Sequence, residues 1–211
     1  MDLAALRAAF YSNIGVTTTD QYYPTATVDG YINKAIRRIG TEHDWPWNEV
    51  LTTLTTVAGT GTLSLTGQTG WYKTRILHIE PYGALELYPL AQLLNTPTSF
   101  QGIPNMYAIQ ADSLLVRPVP NAVYTINHVY YVIETTLTNT TDTPRLPAQY
   151  HDAIVDLAVY YGCVQNKEQS RYSPRATQYL EQYQAMLKVM RDNVRRTSAT
   201  QRVRVRPGSQ I

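Results

Sequence analysis

Apolar residues recur at helical spacing toward both ends of the chain and alternate at strand spacing in between. Near the start, Leu3, Leu6 and Phe10 repeat every three or four positions and Gly15 closes the run, which predicts a short helix. The polar stretch from Thr17 to Ala26 reads as a loop. A second helix is predicted from Thr27, its N-cap, with Val28, Ile32, Ala35, Ile36 and Ile39 as apolar stripe, Arg37 and Arg38 off it, and Gly40 as its stop. Trp45-Pro46-Trp47 then breaks the helical pattern, because proline lacks an amide hydrogen and restricts the residue before it.

Residues 45–144 carry short Thr-, Val- and Leu-rich runs with period-2 alternation. They are Val50 to Val57, Thr60 to Leu65, Arg75 to Ile79, Leu85 to Tyr88, Met106 to Ile109, Ser113 to Val116, and Val123 to Glu134. Turn signals separate them, among them Gly59, Gly67, Gly70, Pro81 to Gly83, Ile103-Pro104 and Pro118 to Asn121. Many short strands at this spacing predict an antiparallel sheet, sandwich or small barrel. The clearest hairpin runs from Tyr107 to Val116 about an Ala111-Asp112 turn, a weaker form of the favoured Asn-Gly type.

Helical patterning returns after Pro144. Pro147 suits a first helical position, and Tyr150, Ile154, Leu157, Ala158 and Tyr161 mark a core face widened by Val155 and Val159. Gly162 and Asn166 weaken its end. The next helix has the strongest start signal, Ser173 as N-cap and Pro174 at the first position. Ala176, Leu180, Tyr183, Leu187, Met190 and Val194 step along it at the seam spacing of a packed helical pair, over a rod of roughly 33 Å. Thr197 to Ile211 is read as an extended arm with a reach of roughly 50 Å.

The fold class that follows is α+β. Residues 1–44 and 145–196 form a discontinuous helical bundle, 45–144 an inserted antiparallel β sandwich or barrel-like module, and 197–211 an extended C-terminal arm.

Composition narrows the function. Of 211 residues only 16% are charged and 44% are hydrophobic, against an acidic solvating tail or a long coiled coil. A single cysteine, Cys163, excludes an intrachain disulfide framework and cysteine-based zinc sites. With neither a secretory apolar core nor a membrane-length apolar stretch, the reading is a soluble protein of the cytoplasm, or one released without a signal peptide. Residues 1–164 hold 8 Lys/Arg and 13 Asp/Glu, a balance of −5, whereas 165–211 hold 10 and 3, a balance of +7. The basic end should therefore face a different partner from the body.

Chemical motifs are few. His151-Asp152 with Asp156 one turn later is the most metal-like cluster, but His43, His78 and His128 lie elsewhere and no two histidines share one helix face. The plainer reading, a helix N-terminal turn with Asp152 at the positive dipole end, is preferred. Glu42-His43-Asp44 is preferred as a solvated turn over an acid/base triplet. Trp45 and Trp47 are preferred as a cover for the junction between bundle and β module over a ligand platform, and Cys163 as a small buried thiol over a nucleophile. There is no G-x-S-x-G, and Gly59-Thr60-Gly61 is followed by Ser64 where a dinucleotide motif needs a third glycine. No catalytic residue, metal ligand or cofactor is assigned.

The basic C-terminal run carries more. Lys188, Arg191, Arg195, Arg196, Arg202, Arg204 and Arg206 oppose only Asp192. Three readings stay open: phosphate binding, protein docking through the Arg-Val alternation at Val203 and Val205, and a solvated tail, with docking favoured. Tyrosine is abundant (17) and phenylalanine scarce (2), which suits interfaces; Tyr88, Tyr107, Tyr124, Tyr130 and Tyr131 serve strand packing, subunit contacts or both.

With these features in place the chain resembles the head-to-tail adaptor (connector) proteins of tailed bacteriophages. The resemblance rests on Tyr31-Ile32-Asn33-Lys34-Ala35-Ile36-Arg37-Arg38-Ile39 leading into His43-Asp44-Trp45-Pro46-Trp47. It continues in Ile103-Pro104, Leu114-Leu115-Val116-Arg117-Pro118-Val119-Pro120, Leu146-Pro147-Ala148-Gln149-Tyr150-His151-Asp152-Ala153-Ile154, and the basic C-terminal arm. It implies a non-enzymatic virion protein of the phage neck, assembled in the host cytoplasm as a homo-oligomeric ring of about twelve subunits. It implies a β module toward the next tail component and a C-terminal segment reaching the portal protein. Arg202, Arg204 and Arg206 would be ionic contacts and Val203 and Val205 apolar ones, with Arg195, Arg196 and Ile211 also in the partner-binding set. An acidic body would let DNA slide through a channel without specific binding, and no membrane is involved. The alternatives are a nucleic-acid-binding protein using the basic C-terminal helix and arm, and a β-sandwich carbohydrate-binding or hydrolytic tail protein. The last would have only Glu80, Glu86 and Glu134 for its carboxylates.

Overall fold

A computed structural model describes residues 1–134, 136–165 and 173–201. It is a mixed α+β structure with two compact units, one built from Met1–Trp47 and the described residues from Glu134 onward, the other from Asn48–Ile133. The core of the helical unit also takes in Trp45 and Leu137, which lie beyond the expected limits of 44 and 145.

In the helical unit, α1 (Leu3–Ile14) is capped by the Asp2 carboxylate, which accepts from the Ala5 amide. Gly15 stops it in the left-handed conformation, φ 77°, where a glycine carries no Cβ penalty. Arg7 donates to both carboxylate oxygens of Asp29, at 2.5 and 2.7 Å, a bidentate pair that joins α1 to α2 (Thr25–Glu42). Thr27 is not the N-cap of α2: it lies inside the helix, which starts after Pro24. The helix also continues past Gly40, and there Thr41 bonds back to the Arg37 and Arg38 carbonyls.

The chain returns to this unit where Asn33 donates to the Leu137 carbonyl and accepts from its amide. α4 (His151–Gln165) follows a 3₁₀ turn at Ala148–Tyr150 and packs against α1, α2 and α5 (Ser173–Gln201). α5 overruns the expected boundary at residue 196. Thr197–Gln201, assigned to an extended arm, continue as helix, because no glycine or proline stands there to stop it. The remainder of the arm, 202–211, lies outside the described residues.

The β unit holds two four-stranded sheets. The first has the order β1 (Glu49–Thr55), β10 (Thr125–Val132), β3 (Trp71–Ile79), β4 (Gly83–Ala84), all antiparallel. The second runs β2 (Thr62–Ser64), β8 (Ser113–Arg117), β7 (Met106–Gln110), β5 (Glu86–Leu87), and β6 (Gln101–Gly102) pairs separately with β9 (Val119–Pro120). Leu63, Leu77, Ile79, Leu114, Val116 and Ile126, drawn from both larger sheets, meet in one buried cluster.

Two expectations are corrected here. The sheets do not close into a barrel. Nor is the pairing wholly antiparallel, since β5 runs parallel to β7 and β6 parallel to β9. Parallel neighbours require a crossover, and α3 (Leu90–Leu94), which carries no expectation from the sequence pattern, lies within the crossover from β5 to β7. The hairpin between β7 and β8 has the expected register, Gln110 opposite Ser113, with Ala111 at φ 47°.

Candidate functional site

The helical unit presents its charge around α5. Tyr183, Leu187 and Met190 are its buried seam. At about 100° per residue, Gln184, Lys188, Arg191 and Arg195 fall to one side of that seam, and Gln182, Ala185, Met186 and Val189 to the other.

The first side opens on a cleft of about 670 Å³ walled by α2, α4 and α5. Arg38, Lys188, Arg191 and Arg195 line it together with Glu42, Asp192, Tyr160 and Tyr161. Glu42, the last residue of α2, accepts from Arg38 at 2.7 Å and from Arg191 at 3.3 Å. Lys188 and Arg195 are exposed and have no ion-pair partner among the described residues. Tyr183 also lines the cleft, is only 4% exposed, and its hydroxyl has no hydrogen-bond partner among the described residues. Burial, reinforced by the charge of Glu42, pushes this phenol well above its ordinary value, so it remains a donor.

The opposite side opens on a second cleft, of about 640 Å³, walled by α1, α4 and α5. It is acidic and apolar: Asp152 and Asp156 stand beside Val155, Met186 and Val189. Burial and the neighbouring Asp152 charge push Asp156 up to about 6.

His151 is buried; its Nε2 donates to the Leu146 carbonyl at 2.7 Å and its Nδ1 faces the Met1 amino group at 2.5 Å. Both nitrogens are thus taken, and burial lowers its pKa. No group of three metal-ligating side chains occurs among the described residues. Glu42 is not a solvated-turn residue but the centre of the ion network above. Trp45 is fully buried in the helical unit, donates to the Ile39 carbonyl at 2.6 Å and stacks on Trp47. Cys163 is buried on α4, which raises its thiol pKa.

Each carboxylate of the hydrolytic alternative is engaged locally. Glu80 accepts from Asn127, Glu86 from the Tyr88 hydroxyl, and Glu134 from the Arg145 amide. Tyr107 and Tyr130 are buried in strand packing, while Tyr88, Tyr124 and Tyr131 are half-buried. Arg195 and Arg196 are exposed on the last turns of α5. Arg202, Val203, Arg204, Val205, Arg206 and Ile211 lie outside the described residues.

Sequence reasoning missed the pairing of Arg38, Glu42 and Arg191 and the partnerless Tyr183. Only the Arg38/Glu42 spacing of four on one helix could have signalled any of it.

A family model described as SU10 adaptor protein matches residues 1–206. A search of curated proteins finds no match. The chain therefore belongs to the SU10 adaptor protein family, a bacteriophage head-to-tail adaptor family of virion structural proteins. No described helix is long and apolar enough to cross a membrane.

Proposed function

We propose that this adaptor forms a ring of about twelve copies beneath the phage portal, joins the portal to the tail, and leaves a channel through which DNA passes without specific binding. The observation that carries the reading is the family match over residues 1–206. In this reading the protein is a non-enzymatic part of the virion neck. The C-terminal residues 202–211, led by Arg195 and Arg196, form the portal-binding arm, with Arg202, Arg204 and Arg206 as ionic contacts and Val203, Val205 and Ile211 as apolar ones. The β unit faces the next tail component. Its exposed Leu51, Leu87, Leu94, Phe100 and Val123 support that role, since solvated apolar side chains gathered in one unit favour a protein partner.

Truncation after Gln201 tests the arm. Co-sedimentation with purified portal should be lost while the circular dichroism spectrum stays unchanged, and a truncated chain that joins the portal normally would remove the arm from the reading. Salt-dependent DNA affinity abolished by Arg202→Ala, Arg204→Ala and Arg206→Ala together would instead favour nucleic-acid binding through the C-terminus.

A further inference from the structure

The two clefts beside α5 have opposite character. One presents the exposed cations Lys188 and Arg195; the other presents Asp152 and Asp156 around the half-exposed Val189. We propose that the basic cleft of one copy receives the Asp152/Asp156 flank of a second copy, so that α5 and α4 together form the wall between neighbours.

Two observations carry this. The unpaired cations on the first flank meet the acidic pair on the second, which gives charge complementarity between copies. Val189 and Met186 beside the two aspartates supply apolar area that a purely ionic contact would lack.

The arrangement also dictates the kind of assembly. The two flanks lie on opposite sides of the same helix, so a pair of copies leaves one basic and one acidic flank open at its ends. Association is heterologous and continues until rotation closes it. The proposal rests on the ring reading above and names the surfaces that would build it. It favours a protein carboxylate over a nucleic-acid phosphate, because Glu42 and Asp192 share the cleft and an extended polyanion would meet them as well.

The test uses full-length protein and native mass spectrometry over a concentration series. Lys188→Glu/Arg195→Glu makes both flanks acidic, and Asp152→Lys/Asp156→Lys makes both basic. Each variant alone should assemble at least tenfold more weakly than the unsubstituted chain. Mixed, they should recover assembly in alternating one-to-one stoichiometry. Because Asp156 is partly buried, circular dichroism checks its fold, and Asp152→Lys alone, at an exposed position, gives a second acidic-flank variant that should show the same defect. Variants that assemble normally by themselves, or fail to rescue one another while folded, overturn this assignment and leave the ring reading standing. An unsubstituted chain that stays monomeric at every concentration, with and without portal, overturns both.

Discussion

The helical unit and the β unit solve the same problem with different materials. The helical unit gathers one core from separate parts of the chain, with Leu6, Phe10, Ile32, Ile154, Ala158 and Tyr183 in one buried cluster, and carries a basic and an acidic flank beside α5. The β unit is continuous in sequence, has only seven charged residues between 48 and 133, and divides its buried apolar side chains into two smaller clusters. Most of the large exposed hydrophobic side chains belong to it. A unit closed by contacts between distant segments is rigid where those segments cross; a unit built from neighbouring strands keeps a small core and leaves its apolar surplus to a partner. The contrast predicts that the two units respond to different perturbations.

The largest effect is expected at Gly162, where α4 crosses the start of the chain. A Cβ there would stand 3.0 Å from Phe10 and 3.1 Å from Tyr23, and the Gly162 carbonyl accepts from the Tyr23 hydroxyl. Gly162→Leu should cost about 3 kcal/mol or more through overpacking against rings with little room to retreat. Hydrogen exchange should show amides of 1–47 and 134–165 losing protection while those of 48–133 keep theirs. Gly162→Ala, which gains helix propensity but sets its Cβ against the same rings, should cost less, about 1 kcal/mol. Equal loss in both units would mean that they share one unfolding step.

This residue also marks the limit of what the sequence discloses. Gly162 reads as a weak helix end, because a glycine that admits two aromatic rings is indistinguishable in sequence from one that stops a helix; only contacts to Phe10 and Tyr23, more than 130 positions away, separate the two. Local signals were readable: the α5 seam from its 3–4 spacing, the end of α1 from Gly15, and the β7–β8 hairpin from its two-residue turn. The parallel pairs β5–β7 and β6–β9 were not, since period-2 alternation says nothing about strand direction. The clefts were hidden for the same reason. Glu42 and Arg191 look like unrelated charges until α2 and α5 are side by side.

Acid should act in the opposite sense on the comparison, weakening the β unit more. His128 is fully buried on β10, 3.0 Å from the Thr74 hydroxyl and stacked on Tyr130, and its Nδ1 has no partner among the described residues. Burial lowers its pKa to about 4, whereas the unfolded side chain takes a proton near 6.5. Between those values the unfolded state binds the extra proton. Stability therefore falls as pH drops from about 6.5 to about 4, by roughly 3 kcal/mol in all, and levels off below. In the helical unit two groups oppose each other. His151, lowered by burial, loses stability on acidification, while Asp156, raised to about 6, gains it. Hydrogen exchange at pH 7 and pH 5 should show the greater loss in 48–133, and His128→Gln should flatten that loss. A pH slope unchanged by the substitution would assign the titration to another group.

The smallest effect runs the other way and should strengthen the β unit. Ala111 occupies the left-handed region at φ 47°, in the two-residue turn between β7 and β8. The turn needs that geometry because its twist matches the right-handed twist of the flanking strands. An alanine pays for it through a Cβ set too close to the following carbonyl, at a cost of about 1 kcal/mol. Ala111→Gly removes the clash but gives the unfolded chain more freedom, so the net gain should be smaller than the strain, about 0.5 kcal/mol. Ala111→Asn, which tolerates the same region with less freedom when unfolded, should gain at least as much. Urea titration of the three proteins decides the point: the midpoints should rise with unchanged slope, and a fall for both substitutions would mean that the Ala111 methyl contributes packing that outweighs its strain.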